Sequence, residues 1–198
     1  RRTAVLAVSR SGRKEAVRAV LAMLKNEPAA DVRQEALRRL TAFDTPEIID
    51  FLAREALTSP QISVRNMSRW YVARFDPGKR LKQYSAMYAR SSDPAFSAGL
   101  IDLIGRLETR DAFDFLTRTL LTGPDERIRL AVVDAMGHSG VLDAIELLEP
   151  FVGLQDLMSY TAIVSIGRIA VRHERDDVFI RFLELPEKEN EILIQNVL

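Results

Sequence analysis

Apolar residues along this chain recur three to four positions apart, which is one face of an α-helix, and the helical blocks recur at a step of 32 residues. The pairs Val32-Arg33, Val64-Arg65 and Ile128-Arg129 sit at multiples of that step, with Phe96-Ser97 in the remaining slot. Two further columns follow: Ala36, Ser68, Leu100, Val132, and Leu40, Val72, Ile104, Met136. The residue after the second column is always small: Thr41, Ala73, Gly105, Gly137. Each block therefore predicts a helix opening near its Val-Arg pair, here called a second helix. Stepping back by 32 places Ala4, Val8 and Ser9 in the same columns.

Between these lie the columns Val17, Ile49, Leu81, Phe113, Ile145; Val20, Leu52, Tyr84, Leu116, Leu148; and Leu24, Ala56, Tyr88, Leu120, Val152. They predict a first helix in each block. Past residue 150 a two-residue contraction restores the pattern with Met158, Ala162, Ile166 and Gly167. Asp31, Asp93 and Asp125 stand where they would cap second helices, and Thr45-Pro46 reads as a cap followed by a first-turn proline. The connectors NEPAAD, TSPQ, FDPGK and TGPD are short and carry Pro or Gly, as turns between antiparallel helices do.

A helix pair cannot cover its own apolar faces, so neighbouring pairs must stack. The expected fold is all-α, a right-handed α-α superhelix of about six antiparallel helix pairs. With no long linker, residues 1–198 read as one array. The chain opens on Thr3–Ser9, in the register of a second helix, and closes on the apolar run Ile192, Leu193, Ile194, Val197, Leu198. Terminal repeats need polar outer faces, so the expectation is a segment of a longer protein or end-to-end self-association.

Composition narrows the function classes. At 47% hydrophobic residues the chain has the material for a core. Lys and Arg number 28 and so do Asp and Glu, so there is no global basic excess with which to hold nucleic acid by charge. The absence of cysteine excludes disulfides and a thiolate nucleophile or zinc site, and accords with a cytoplasmic location. No apolar run approaches the roughly 18 residues of a membrane span. The two histidines, His138 and His173, lie in different blocks without HxxxH spacing, so no metal is expected. No nucleophile elbow, P-loop or dinucleotide fingerprint is present, and neither a catalytic residue nor a cofactor is nominated.

The unit DERIRLAVVDAMGHSGVLDAIELLEPFV at Asp125–Val152 resembles the HEAT-like repeat of phycobilisome lyases and many bacterial scaffolds, and DVRQEALRRLTAFDTPEIIDFLAREAL from Asp31 is similar. By register the resemblance covers almost the whole chain. It implies an armadillo-like helical solenoid whose second helices line the concave, partner-binding surface. It also implies that Arg33, Arg65 and Arg129 form a structural ladder, with acids near the turns such as Asp31 and Asp125 as partners. Fold alone does not settle function.

Candidate contacts come from the exposed positions of the second helices. Arg10, Arg74, Arg106, His138 and Arg168 directly follow the small column, with only Ala42 breaking the row. Cations there offset the helix dipole; a basic stripe for a carboxylate-rich segment or a phosphate backbone is the sharper alternative. Arg65, Arg69, Trp70 and Arg74 bring an aromatic anchor among arginines, a composition favoured at interfaces. Trp70 could equally fill an irregular joint in the stack. Tyr84 and Tyr88 lie on core columns and read as packing. Asp102 and Asp134 share a column one block apart, about 10 Å at ordinary interaxial spacing, too far to share a proton or a metal.

Mixed charge at Arg65, Arg69, Trp70, Arg74, Asp102, Arg106, Asp134, His138 and Arg168 suits a protein partner, acidic or helical in character, better than a phosphate backbone. A non-catalytic scaffold or adaptor is the leading expectation. Two rivals use the same fold: a DNA-binding enzyme resembling alkylpurine DNA glycosylases, for which Trp70, Asp102 and Arg106 would be the imitating set, and a chromophore-lyase-like subunit with no residue to nominate.

Overall fold

The computed structural model describes residues 14–123, 125–153 and 156–183, and every regular element among them is helical. Two compact units divide the chain, the first ending at Met87 and the second beginning at Tyr88. In the first lie α1 (Lys14–Leu24), α2 (Ala30–Leu40), α3 (Pro46–Thr58) and α4 (Ile62–Val72); the boundary falls within α5 (Pro77–Arg90). The second holds α6 (Pro94–Gly105), α7 (Arg110–Thr122), α8 (Glu126–Ser139), α9 (Ala144–Leu148), a 3-10 turn (Glu149–Phe151), α10 (Leu157–Arg172) and α11 (Asp176–Leu183). The expected helices at Thr3–Ser9, Arg10 with them, and the apolar run 192–198 lie outside the described residues. None of the described helices is long and apolar enough to cross a membrane.

Helix starts follow capping chemistry. An amide at a helix N-terminus has no intrahelical acceptor, and Asp93, Thr109, Asp125 and Asp156 supply one through the side chain to α6, α7, α8 and α10. Asp31 does not cap α2. That helix opens one residue earlier, at Ala30, and the Glu27 carboxylate holds the Ala29 amide at 3.0 Å instead. Thr45 makes no side-chain cap bond to α3, so Pro46 alone marks that start. At the other end of α8, Gly140 adopts φ 65°, the left-handed conformation that glycine enters without a Cβ penalty.

The 32-residue columns are buried. Ala36, Ser68, Leu100 and Val132 are fully enclosed, as are Leu40, Val72, Ile104 and Met136 to within 2%. Of the first-helix columns, Leu81, Tyr88 and Val152 are only half-buried. Val152 lies beyond any α-helix: α9 stops at Leu148 because Pro150 has no amide to donate and its ring crowds the preceding turn, and a 3-10 turn follows. In the first unit α4 packs against α2 and α3. In the second, α8 packs against α6 on one side and α10 on the other, with α7 against both α6 and α8. Each fully enclosed Leu or Ile contributes roughly 1.5–3 kcal/mol over an exposed one.

The small column marks close approach in the second unit. A Cβ added to Gly105 would lie 2.5 Å from the Ala135 carbonyl oxygen, and one on Gly137 2.7 Å from the Ser165 Cα. Thr41 is half-buried and Ala73 exposed at the corresponding positions of the first unit.

Buried charge appears at Glu35 of α2, whose carboxylate takes Arg39 Nε at 2.9 Å and also pairs with Arg38. The hydrogen bond from Arg39 chiefly holds the Glu35 pKa below its ordinary 4.5, against the opposing effect of burial. A carboxylate depressed in the folded state contributes stability that is present above its unfolded pKa and is lost as pH falls through the folded one. Wild type should therefore exceed Glu35→Gln in melting temperature near neutrality, with the gap closing as pH drops below about 4.5. A gap independent of pH in paired thermal melts would refute this assignment.

Candidate functional site

Of the three Val-Arg arginines, Arg33 and Arg65 reach back to turns, whereas Arg129 is exposed. Arg33 donates to the Glu27 carbonyl at 2.8 Å and to Glu55 Oε1 at 2.5 Å; Arg65 donates to the Ser59 carbonyl at 2.7 Å. Both guanidiniums thus hold the carbonyl six residues upstream, closing the turn before their own helix. The acid that serves Arg33 is Glu55 on α3, not the neighbouring Asp31. Arg65 is half-buried by this contact, which separates it from the exposed set on α4.

That exposed set is Arg69, Trp70 and Arg74. Trp70 is 58% exposed, so it fills no joint within its own unit. Its ring meets Tyr71 edge-on at 5.0 Å, and the Arg74 guanidinium lies 4.0 Å over the indole. Tyr71 is buried, which fixes one side of the indole against the core. Sequence reasoning missed Ile62, 65% exposed on the same helix. Ile62, Asn66, Arg69, Trp70 and Ala73 are spaced by three and four residues and make one outward stripe along α4, a pattern already present in the residue numbering.

In the second unit the remaining candidates meet in a line across α6, α8 and α10. Arg106 Nε donates to Asp102 Oδ1 at 2.9 Å, and Arg168 Nη1 donates to Asp134 Oδ1 at 2.7 Å. His138 Nδ1 stands between the two acids, 4.0 Å from Asp102 Oδ1 and 3.7 Å from Asp134 Oδ2. The expected separation of about 10 Å between the two carboxylates overestimates the gap. One oxygen from each acid and a His138 nitrogen lie within 4.8 Å of one another. The close approach of α6 and α8 at Gly105 and Ala135 permits this.

Two aspartates and a histidine at this spacing have metal-ligand character, but Arg106 and Arg168 already compensate both carboxylates. The line is charge-balanced without an ion. Nor is it a free basic stripe: Arg106 and Arg168 spend their charge inside the unit. Dipole compensation does not account for Arg168 either, because α10 runs one turn further to Arg172. Partly exposed ion pairs of this kind contribute about 0–1 kcal/mol each, so the line sets register more than stability.

Two clefts flank these helices. One of about 380 Å³ has a floor of Leu130, Ala131 and Val164 and a rim at Tyr160 and Arg168. Another of about 460 Å³ is lined by hydroxyls, including Ser91, Ser92, Thr119 and Thr122, with Tyr88 at its edge. Tyr88 packs edge-on against Phe115 at 5.8 Å, and burial followed by the Asp125 charge raises its phenol pKa. Neither cleft brings together a nucleophile, a base and an oxyanion site.

No protein-family model matches this chain, and no curated protein matches it.

Proposed function

We propose that this chain is a HEAT-like helical-repeat scaffold, a right-handed solenoid that binds another protein on the outward faces of its second helices and catalyses no reaction. The observation that carries this is Trp70: a large aromatic side chain is held in the open, stacked by Arg74 and backed by buried Tyr71. Exposing an indole forfeits the free energy its burial would release, and a ring already fixed on two sides loses little freedom when a partner covers it. Trp, Tyr and Arg supply a disproportionate share of interface energy for this reason.

Asp102, Arg106, Asp134, His138 and Arg168 add a charge-balanced polar face of the kind found at the rim of protein interfaces. The glycosylase-like reading gains nothing from the geometry, since the acid it would use, Asp102, is held by Arg106.

Affinity capture from source-cell lysate tests the proposal, with wild type and a Trp70→Ala/Arg74→Glu variant as baits. The expected result is a defined set of proteins retained by wild type and lost with the variant, whose helicity is unchanged. Identical retention by both baits would overturn the proposal, and so would capture of nucleic acid in place of protein.

A further inference from the structure

Unit 2 shows what the outward faces of these helices do when their charges are matched. Asp102 and Arg106, four residues apart at the end of α6, form an ion pair, and Asp134 and His138 stand at the same spacing on α8. The equivalent positions on α4, one 32-residue step back from Asp102 and Arg106, are Trp70 and Arg74. Arg74 keeps the geometry of the pair and lies over its partner four residues earlier, but the partner is an indole. A cation over an aromatic face is attracted by the ring quadrupole, yet its charge is not neutralised.

The described surroundings do not supply the missing anion. Among the described residues, no carboxylate forms an ion pair with Arg69 or Arg74. The nearest acid in sequence, Asp76, accepts the Lys79 amide at 3.0 Å at the start of α5. Glu35, on the adjacent α2, is engaged by Arg38 and Arg39. The outward stripe of α4 therefore presents two uncompensated guanidiniums beside two exposed apolar side chains, Trp70 and Ile62.

Building on the protein-binding function, we infer that this stripe docks an acidic segment of another protein. Its carboxylates complete the pairs that Arg69 and Arg74 lack, and separate apolar side chains of the segment lie on Trp70 and, about 12 Å further along the helix, on Ile62. Arginine favours a carboxylate through paired, parallel N–H donors. The apolar residues distinguish such a segment from a simple polyanion, which would use the charges and leave the indole and Ile62 uncovered.

Three probes separate these chemistries: a dye-labelled peptide of repeated Glu-Leu-Glu-Ala units, its Lys-Leu-Lys-Ala counterpart, and a single-stranded oligonucleotide of similar length. Fluorescence anisotropy with the full chain should show saturable binding of the acidic peptide. The basic peptide and the oligonucleotide should bind about tenfold or more weakly. Trp70 is the only tryptophan in the chain, so its emission should shift to the blue as the peptide covers it. Arg69→Glu/Arg74→Glu should weaken acidic-peptide binding by about tenfold or more. Trp70→Asp should do the same, by giving Arg74 an internal partner like that of Arg106.

Circular dichroism on each variant identifies loss through unfolding, and Arg69→Lys/Arg74→Lys, which keeps the charge but not the paired donors, should bind between wild type and the glutamate variant. Equal binding of the basic peptide, tighter binding of the oligonucleotide, or undiminished binding by the folded glutamate variant would overturn the inference. Lysate capture that still depends on Trp70 while the acidic peptide fails would overturn the acidic assignment and leave the protein-binding function standing.

Discussion

Gly137→Val is expected to cost the second unit about 3 kcal/mol, at the upper end of the usual overpacking range, and to lower its melting temperature by on the order of 10 °C. The new side chain would start 2.7 Å from the Cα, Cβ and Oγ of Ser165 on α10. Ser165 is fully buried and its Cα cannot rotate out of the way, so the two helices must separate. Separation opens the seam between α8 and α10, one of the three along which α8 is packed, with those against α6 and α7. Gly137→Ala sets two effects against each other: about 1 kcal/mol gained in helix propensity against about 1–3 kcal/mol of overpacking. Its net effect should be smaller but still destabilising.

Gly78 provides the comparison, because a Cβ there would meet only the Asp76 side-chain oxygen, at 3.2 Å. Gly78→Ala near the start of α5 should change stability by within about 0.5 kcal/mol. Thermal melts followed by circular dichroism, with amide exchange across α8 and α10, check all three. A valine variant that melts with wild type would mean that α8 and α10 are not in close contact in solution.

The same glycines show how far the sequence could be read. The alternation of buried columns was legible because helical periodicity and burial obey the same spacing, so Leu100, Val132, Ile104 and Met136 could be assigned to the core from their numbers alone. The small column was legible as a place where a tight turn or a neighbouring helix leaves no room for a side chain, and Gly105 and Gly137 are such places. Which positions of the column meet a neighbouring backbone, as Gly105 and Gly137 do, depends on how far one helix slides along the next.

The same slide brought Asp102, His138 and Asp134 within a few ångströms, where column spacing suggested isolation. Asp31 failed as a cap because the helix opens at Ala30, which puts Asp31 inside the first turn and not before it. The short α9 was foreseeable from Pro150, yet the repeat register argued for continuing to Val152; a missing amide outweighed the register. Trp70 was left undecided because exposure depends on what neighbouring helices cover, which no single column records.

Arg33→Ala should be the most damaging change in the first unit, at about 3–5 kcal/mol. Glu55 accepts from Arg33, and its side chain is only 10% exposed. Its second oxygen, Oε2, is buried without a hydrogen bond even in the intact protein. Removing the guanidinium leaves a carboxylate with neither water nor a cation to solvate it. It also removes the Arg33 hydrogen bond to the Glu27 carbonyl at the mouth of the turn between α1 and α2. Most of this penalty belongs to the stranded charge, so Arg33→Met/Glu55→Leu should recover most of the stability lost by Arg33→Ala.

Arg65→Ala tests the same column with a different result. One 32-residue step after Glu55 stands Met87, which is buried and apolar, and Arg65 accordingly holds only the Ser59 carbonyl. Its loss should cost about 1 kcal/mol, the value of one hydrogen bond. Urea titrations of the four proteins decide the matter: equal penalties at Arg33 and Arg65, or no rescue in the double variant, would show that the ladder acts through turn closure and that the Arg33–Glu55 pair contributes nothing of its own.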